Sequence, residues 1–347
     1  MTVSAATAWP TAARAQVQAR TRDGVVDTLR GVAILMVIGI HSLPKGEGSA
    51  LVIVVDAALR PCVPIFLFVS GYLTARSGRV PLAKRVWRTI VPYTIAFVAA
   101  YIFMAIDNPT MDHRPAVAVA RYVFAYVFVY YYVFVYVGCT IVLWTMSALA
   151  GDGKGHDRRL ILLLLLAIPV GLACGAYIDP LLQRLGIAES IIDEVRMRDL
   201  PFWFTFMAAG TLAGLLRAGE LFHSLRYPLA AAAVIAYTVY AAVRIAGIGD
   251  AANYDSVAFF LYAMLTCIVL LGFAPESAAL ASVGSASYFI YLWHIFVIMA
   301  LRQLSVLQPH PFLSTIVEYA AALSICVVVV LLLRRLMPPR IAQGLGI

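Results

Sequence analysis

Two basic residues occur at unusual positions in the first apolar segment of the chain. Arg30 and His41 are eleven residues apart in VVDTLRGVAILMVIGIHSL. Eleven residues of an α-helix turn through about 1,100°, so the two side chains share one face and lie ~16 Å apart along the axis. Asp27, three residues before Arg30, is spaced to pair with it. Ionisable side chains within an apolar segment are costly, and they therefore indicate a functional site.

Asp27, Arg30 and His41 form a polar stripe along this helix, and the histidine determines which chemistry the stripe could support. Imidazole titrates near neutral pH, so His41 in a water-excluding cavity can take a proton from a hydroxyl or carry an acyl group. A histidine that packs in the core and bonds to a neighbouring helix is an equally good interpretation of this residue alone. Arg30 can likewise be a simple anchor of the helix, and the sequence leaves both alternatives open.

A second histidine, His294, lies in the later apolar segment SYFIYLWHIF, with Tyr291 on a nearby face. For His294, a hydrogen-bonding role in the core is favoured over direct catalysis. In the earlier segment VPIFLFVSGYL, Ser70 permits the close approach of another helix, and Tyr72 can reach a polar partner. Packing is the default interpretation of that segment.

Arg85 and Arg88 are three residues apart in KRVWRTIVPY, on one helical face at the boundary of an apolar segment. Guanidinium groups bind phosphates through paired hydrogen bonds, so two of them on one face could hold a phosphorylated ligand. Anchoring of the chain by positive charge is the simpler explanation, and the sequence alone favours it.

The elements that must position these residues are apolar helices. Of the 347 residues, 63% are hydrophobic and 13% are charged, and the mean hydropathy is +0.89. Soluble domains carry about twice that fraction of charged residues, so this composition excludes them. We expect an all-α, polytopic integral membrane helix bundle with about ten transmembrane helices. The predicted segments are 26–44, 61–78, 89–106, 128–150, 159–178, 201–217, 228–246, 255–274, 284–305 and 314–334.

The basic residues predict the orientation of this bundle. The net charge is +8, but lysines and arginines cluster in the short gaps between apolar runs, which encodes topology rather than nucleic-acid binding. Their bias favours two cytoplasmic termini, with 107–150 crossing once and containing an additional re-entrant or interfacial piece. We interpret residues 1–23 as a disordered cytoplasmic tail and 24–340 as one transmembrane domain. Five scattered cysteines without ligand spacing predict no metal site.

Taken together, these segments resemble the acyltransferase 3 family of membrane-bound O-acyltransferases. Four motifs carry the resemblance, in family order: Asp27-Thr-Leu-Arg30-Gly followed by His41, VPIFLFVSGYL (63–73), Arg85-Val-Trp-Arg88, and SYFIYLWH (287–294). They cover the chain from about residue 25 to 340. The fourth segment departs from the family, because YYYVFVY (130–136) stands where a Trp-Phe-like element is usual. The acceptor-facing region is therefore expected to differ.

The resemblance implies transfer of an acyl group, usually acetyl, to a hydroxyl of a carbohydrate or related acceptor. Acyl-CoA, usually acetyl-CoA, would be the cytoplasmic donor substrate, and the enzyme would lie in the inner (cytoplasmic) membrane as a stand-alone form without an SGNH-type domain. The implied roles are catalysis by His41 with Arg30 and Asp27, donor binding by Arg85 and Arg88, and support from Ser70, Tyr72, Tyr291 and His294.

The expected partners are acyl-CoA, the lipid bilayer, and a carbohydrate, glycolipid or secondary-metabolite acceptor, without nucleic acid or metal; a homodimer stays open. The main alternative is a transporter of an acylated or lipid-linked glycan that uses the polar stripe as a proton relay. Against it, the sequence contains no repeat halves and no paired broken segments. A non-catalytic sensor or scaffold is a third interpretation.

Overall fold

The structure of the protein, a computed structural model, describes residues 23–44, 49–108, 110–127, 129–153, 155–248, 254, 256–304 and 310–347. Within these ranges the chain forms sixteen helices and no strand, which confirms the all-α prediction. The helices are α1 Gly24–Ser42, α2 Ala50–Leu59, α3 Cys62–Ser77, α4 Leu82–Asp107, α5 Pro115–Val123, α6 Tyr131–Leu149, α7 His156–Arg184, α8 Glu189–Met197, α9 Leu200–Leu215, α10 Gly219–Ser224, α11 Arg226–Ile245, α12 Val257–Phe273, α13 Ala278–Ser285, α14 Ser287–Arg302, α15 Pro311–Leu336 and α16 Pro339–Gly344.

Each predicted membrane segment overlaps one helix of at least 16 residues. In the described part of the chain, seven spans are long and apolar enough to cross a membrane: α1, α2 with α3, α4, α6, α7, α11 and α15. The bent pair α13–α14 would make an eighth, while α12 and α9 have only 17 and 16 residues. The chain is therefore a multi-pass membrane protein. The number of ten crossings and the cytoplasmic position of both termini stay predictions.

The helices divide into a central and a peripheral set. More than half of α1 and of the continuous span α2–α3 is buried, whereas α7, α11 and α15 expose most of their apolar residues. Leu162, Leu166 and Val170 of α7, for example, point outward. Such a surface fits acyl chains rather than water. The polar residues of the first segment therefore lie in the middle of the bundle.

Small residues bring the central helices into backbone contact. A Cβ atom at Gly71 of α3 would overlap the carbonyl oxygen of Met207, and a Cβ atom at Gly210 of α9 would overlap that of Phe68. Glycine at such points lets helix backbones approach closely in a membrane. The close helix approach predicted for the segment around Ser70 is thus confirmed.

A short helix that the sequence did not predict packs on α1. Helix α13 meets α14 at an angle of 78°, so the predicted segment 284–305 was wrong at its start, and the straight part begins at Ser287. Gly284 of α13 lies against the backbone of Asp27, where any Cβ atom would clash. The backbone N–H of Ser277 also donates to Thr28 Oγ1 at 3.1 Å. These contacts hold α13 against α1, and α13 therefore does not continue along the axis of α14.

Two further predictions are refined by the structure. Helix α4 begins at Leu82 rather than at residue 89, so the arginine pair lies on the helix itself. The additional piece expected within 107–150 is α5 with the turns that follow it. The Tyr93 hydroxyl of α4 donates to the carbonyl of Tyr122 at 2.8 Å, and the Tyr130 hydroxyl donates to the carbonyl of Leu292 at 2.7 Å. This piece therefore packs against the middle of α4 and α14.

The predicted disordered tail, residues 1–23, lies outside the described residues except for Asp23. The Asp23 side chain caps α1 by accepting a hydrogen bond from the backbone N–H of Val26 at 3.3 Å. This cap satisfies one of the free N–H groups at the start of the helix.

The backbone contact between α3 and α9 predicts a specific sensitivity. Gly210→Ala should lower the melting temperature in detergent, because overpacking a close contact costs roughly 1–3 kcal/mol. Gly219→Ala is the matched control, since a Cβ atom there meets nothing within 4 Å. Thermal unfolding of both variants by intrinsic fluorescence would check this. Equal melting temperatures for the two variants would contradict the packing analysis.

Candidate active site

A cavity of about 380 Å³ lies between α1, α3, α4, α6 and α14, and three arginines line it. Arg30 comes from α1, while Arg85 and Arg88 come from the first turns of α4. The Nη1 nitrogen of Arg85 is buried and has no hydrogen-bond partner among the described residues. An unsatisfied buried guanidinium nitrogen is unfavourable. An anionic ligand in this cavity would supply the missing acceptor.

Arg30 also makes the ion pair expected from its spacing. Its Nη1 atom lies 3.4 Å from Asp27 Oδ1, three residues earlier on α1. The Arg30 side chain keeps 31% of its surface exposed, whereas that of Asp27 keeps 11%. The Asp27 carboxylate is therefore the more buried partner of the pair, and Arg30 lines the cavity.

The remaining walls carry hydroxyl and aromatic groups. Ser70 of α3 lines the cavity, as do the rings of Tyr132 from α6 and Tyr288 and Tyr291 from α14. The Tyr132 and Tyr291 rings touch edge to face with centroids 5.5 Å apart. Gly346 and Ile347, after α16, also line the cavity. The cavity thus runs from a basic mouth to an aromatic inner end.

Beyond this inner end, the structure brings together the two histidines found in the sequence. The ring centroids of His41 and His294 are 5.4 Å apart, with the rings tilted by 40°. The ring of Tyr291, which lines the cavity, lies 6.4 Å from that of His294. The polar stripe of α1 therefore ends at a pair of imidazoles, although neither is among the cavity-lining residues.

The hydrogen bonds of His294 determine its tautomer. Its Nδ1 atom lies 3.0 Å from the carbonyl oxygen of Ile290 and 2.8 Å from that of Tyr291. Carbonyl oxygens only accept, so Nδ1 carries the proton and Nε2 is an acceptor. The side chain is completely buried, and Nε2 has no hydrogen-bond partner among the described residues. A fixed acceptor is thus held beside His41.

Two supporting residues of the sequence analysis occupy other environments. The Tyr291 hydroxyl donates its proton to the backbone carbonyl of Val129 at 2.6 Å. Tyr72 is outside the cavity lining, and its ring faces the guanidinium of Arg76 at 5.7 Å. The structure therefore gives Tyr291 a place in the cavity wall and does not bring Tyr72 to the site.

The sequence analysis missed a guanidinium that contacts the backbone of His41. Arg302, at the end of α14, donates from Nη2 to the carbonyl oxygen of His41 at 2.7 Å. Its Nε atom donates to Glu318 Oε2 of α15 at 3.0 Å. Glu318 could have been found by the cost of its charge, since it lies inside the predicted segment 314–334.

The described residues offer no group of three or more His, Cys, Asp or Glu side chains placed to hold a metal ion. The cationic cavity and the imidazole pair are features of the described chain that could support chemistry. Together they could bind an anion at one end and move a proton or an acyl group at the other.

Comparison with known families gives a match over most of the chain. The model of the acyltransferase 3 family, described as an acyltransferase domain, matches residues 23–335, which is nearly the whole chain. No curated protein and no solved structure matches the chain. The matched region contains all of the cavity arginines, both histidines and the Arg302–Glu318 pair.

The positive cavity predicts a charge preference at Ser70. In a Cys174→Ser background, which removes the one native cysteine that is not buried, Ser70→Cys should react faster with an anionic than with a cationic methanethiosulfonate reagent. Adding Arg85→Gln should lower this rate ratio about twofold to fivefold, because one nearby positive charge is lost. Arg158→Gln, an exposed arginine outside the cavity, is the control. A ratio that is equally insensitive to both changes would contradict a cationic cavity.

Proposed function

Because the chain belongs to the acyltransferase 3 family, we propose that it moves an acyl group, usually acetyl, from acyl-CoA to an acceptor hydroxyl. Membership makes the chain a membrane acyltransferase in general. The donor, the O-acetyl specificity and a carbohydrate, glycolipid or secondary-metabolite acceptor are our proposal. The observation that carries it is the arginine-lined cavity, one of whose lining residues, Tyr291, lies with its ring 6.4 Å from that of His294 in the His41–His294 pair.

The donor would bind with its phosphates on Arg85, Arg88 and Arg30. Guanidinium groups suit phosphate oxygens in charge and geometry, and the unsatisfied Nη1 of Arg85 would gain an acceptor. The thin thioester arm would then extend between Ser70 and the tyrosine wall toward His41. The helical rise from Arg30 to His41 is ~16 Å, so the arginine would bind the donor rather than touch the catalytic ring.

His41 is proposed as the catalytic residue, in one of two ways. As a general base, it takes the proton of the acceptor hydroxyl while the oxygen attacks the thioester carbonyl carbon. The carbon–sulfur bond then breaks, and the thiolate receives the proton from His41. Alternatively, a ring nitrogen attacks the thioester first, and the hydroxyl then takes the acyl group from the imidazole. Both routes yield an ester and free CoA thiol.

His294 is proposed to orient His41. Its Nε2 atom can only accept a hydrogen bond, because Nδ1–H is committed to backbone carbonyls. The two ring centroids lie 5.4 Å apart, but Nε2 of His294 accepts no hydrogen bond from the described residues. A small shift of either ring would let a His41 N–H reach this acceptor, and that bond would fix the rotation of the His41 ring.

The cellular arrangement is also part of the proposal. Loop charges favour the cytoplasm for the arginine-lined end of the bundle, which is where acyl-CoA is available. The acceptor would then approach His41 from the opposite side of the inner membrane. No observation in the described structure specifically favours the transporter alternative.

Hydrolysis of labelled acetyl-CoA by the purified protein in nanodiscs tests the proposal, with water as the acceptor. The wild type should release labelled acetate, and His41→Ala should lower the rate by on the order of 100-fold or more, because general acid–base or nucleophilic catalysis is lost. His41→Ala should still bind CoA in a calorimetric titration, whereas Arg85→Gln should bind it more weakly.

His113→Ala is the control for the loss of a histidine, because His113 lies outside the bundle centre and contacts only the edge of Tyr101 among the described rings. It should keep the wild-type rate. Full activity of His41→Ala would exclude the catalytic role of that residue. A wild-type protein that neither binds CoA nor hydrolyses acetyl-CoA would contradict the proposed donor.

A further inference from the structure

Arg302 donates hydrogen bonds to backbone carbonyls at the end of the helix that carries His41. Its Nη2 atom donates to the carbonyl oxygen of His41 at 2.7 Å and to that of Leu43 at 3.2 Å. The last carbonyls of an α-helix have no partner within the helix, and a basic side chain can satisfy them. His41 lies in this last turn, since α1 ends at Ser42. The guanidinium therefore acts on the backbone of the proposed catalytic residue.

Glu318 holds the guanidinium in this position. Its oxygen Oε2 accepts from Arg302 Nε at 3.0 Å and lies 2.9 Å from Nη2, while Ser314 Oγ donates to its other oxygen at 2.7 Å. Only 3% of the Glu318 side chain is exposed. Three helices thus meet in one network: α1 through its C-terminal carbonyls, α14 through Arg302, and α15 through Glu318.

Without this network, the last turn of α1 would be weakly held. The backbone N–H after the helix, that of Leu43, reaches the carbonyl of Ile40 at a long 3.4 Å. Helix ends fray readily, and small displacements of a catalytic group reduce turnover strongly. The ring of His41 has to keep its place beside His294 while its other nitrogen meets the substrate.

We propose that Arg302 and Glu318 form a clamp that positions His41 for acyl transfer. This inference rests on the proposed function of His41. Arg302 and Glu318 act through the backbone of α1, so they are positioning residues rather than catalytic ones. The clamp fixes the position of the last turn of α1 along the helix axis and its rotation about that axis. The contact with His294 fixes the orientation of the His41 ring.

A buried ion pair elsewhere in the bundle allows this role to be separated from plain stabilisation. Asp56 of α2 pairs with Arg60 at 2.7 Å and also with Arg244 of α11. This cluster links helices, as the clamp does, but among the described residues it makes no contact with either histidine. Arg244→Met removes a guanidinium that pairs with a carboxylate on another helix. The carboxylate of Asp56 keeps its ion pair with Arg60, so no buried charge loses its last partner. This variant is the matched control.

The main test is the double variant Arg302→Met with Glu318→Leu. Replacing both partners of a buried ion pair by apolar residues avoids an unpaired charge, so the fold should be kept. We expect kcat for acetyl-CoA hydrolysis in nanodiscs to fall on the order of 10- to 100-fold, with KM changed less than about twofold. Hydrogen–deuterium exchange of a peptide covering 36–44 should become faster. Arg302→Lys, which can still bond one carbonyl, should be intermediate in both measurements.

Arg244→Met should lower the melting temperature but keep kcat and the exchange rate of 36–44. The clamp would be refuted if the double variant kept the wild-type kcat, or if kcat fell without faster exchange in 36–44. An equal fall of kcat in Arg244→Met would also refute it, because the effect would then be general destabilisation. If the wild type does not hydrolyse acetyl-CoA, the proposed function fails, and the exchange rates still decide whether the pair holds the turn.

Discussion

The cost of leaving a charged or polar group without a partner inside an apolar bundle governs most of this structure. Arg302 is bonded to two helix-end carbonyls and to Glu318, and the remaining oxygen of Glu318 is bonded to Ser314. Each of these groups has a partner, as is expected where water is scarce. Some buried polar atoms have no hydrogen-bond partner among the described residues, among them Asp199 Oδ2, Tyr240 Oη, Arg85 Nη1 and His294 Nε2. Of these, Arg85 lines the cavity and His294 lies beside His41.

Close backbone contact provides the rigidity that such a site needs. Helix α3, which contributes Ser70, is packed against α9 through Gly71 and Gly210. Helix α1, which contributes Arg30 and His41, is crossed by α13 through Gly31 and Gly284. Because α1 and α3 are held through their backbones, the places of Arg30, His41 and Ser70 are fixed by packing. A donor that bridges the two would be aligned by binding alone.

The sequence predicted the features that depend on local periodicity. Helical phase put Arg30 and His41 on one face and Arg85 beside Arg88, and apolar runs marked each long helix. Contacts between distant helices could not be derived in this way. The pairing of His41 with His294 and the reach of Arg302 to α1 depend on how α14 packs, and the bend before Ser287 depends on the contact of Gly284 with α1. A single sequence carries no direct record of such packing.

The central claim is that the acyl end of the donor reaches the imidazole pair when its phosphates lie on the cavity arginines. Photolabelling with an acyl-CoA that carries a diazirine in a short acyl chain, followed by peptide mass spectrometry, tests it most directly. We predict labels in the last turn of α1 and around His294 in α14, with a lower yield but the same sites in Arg85→Gln. Labels confined to the outward faces of α7 or α11 would contradict the claim.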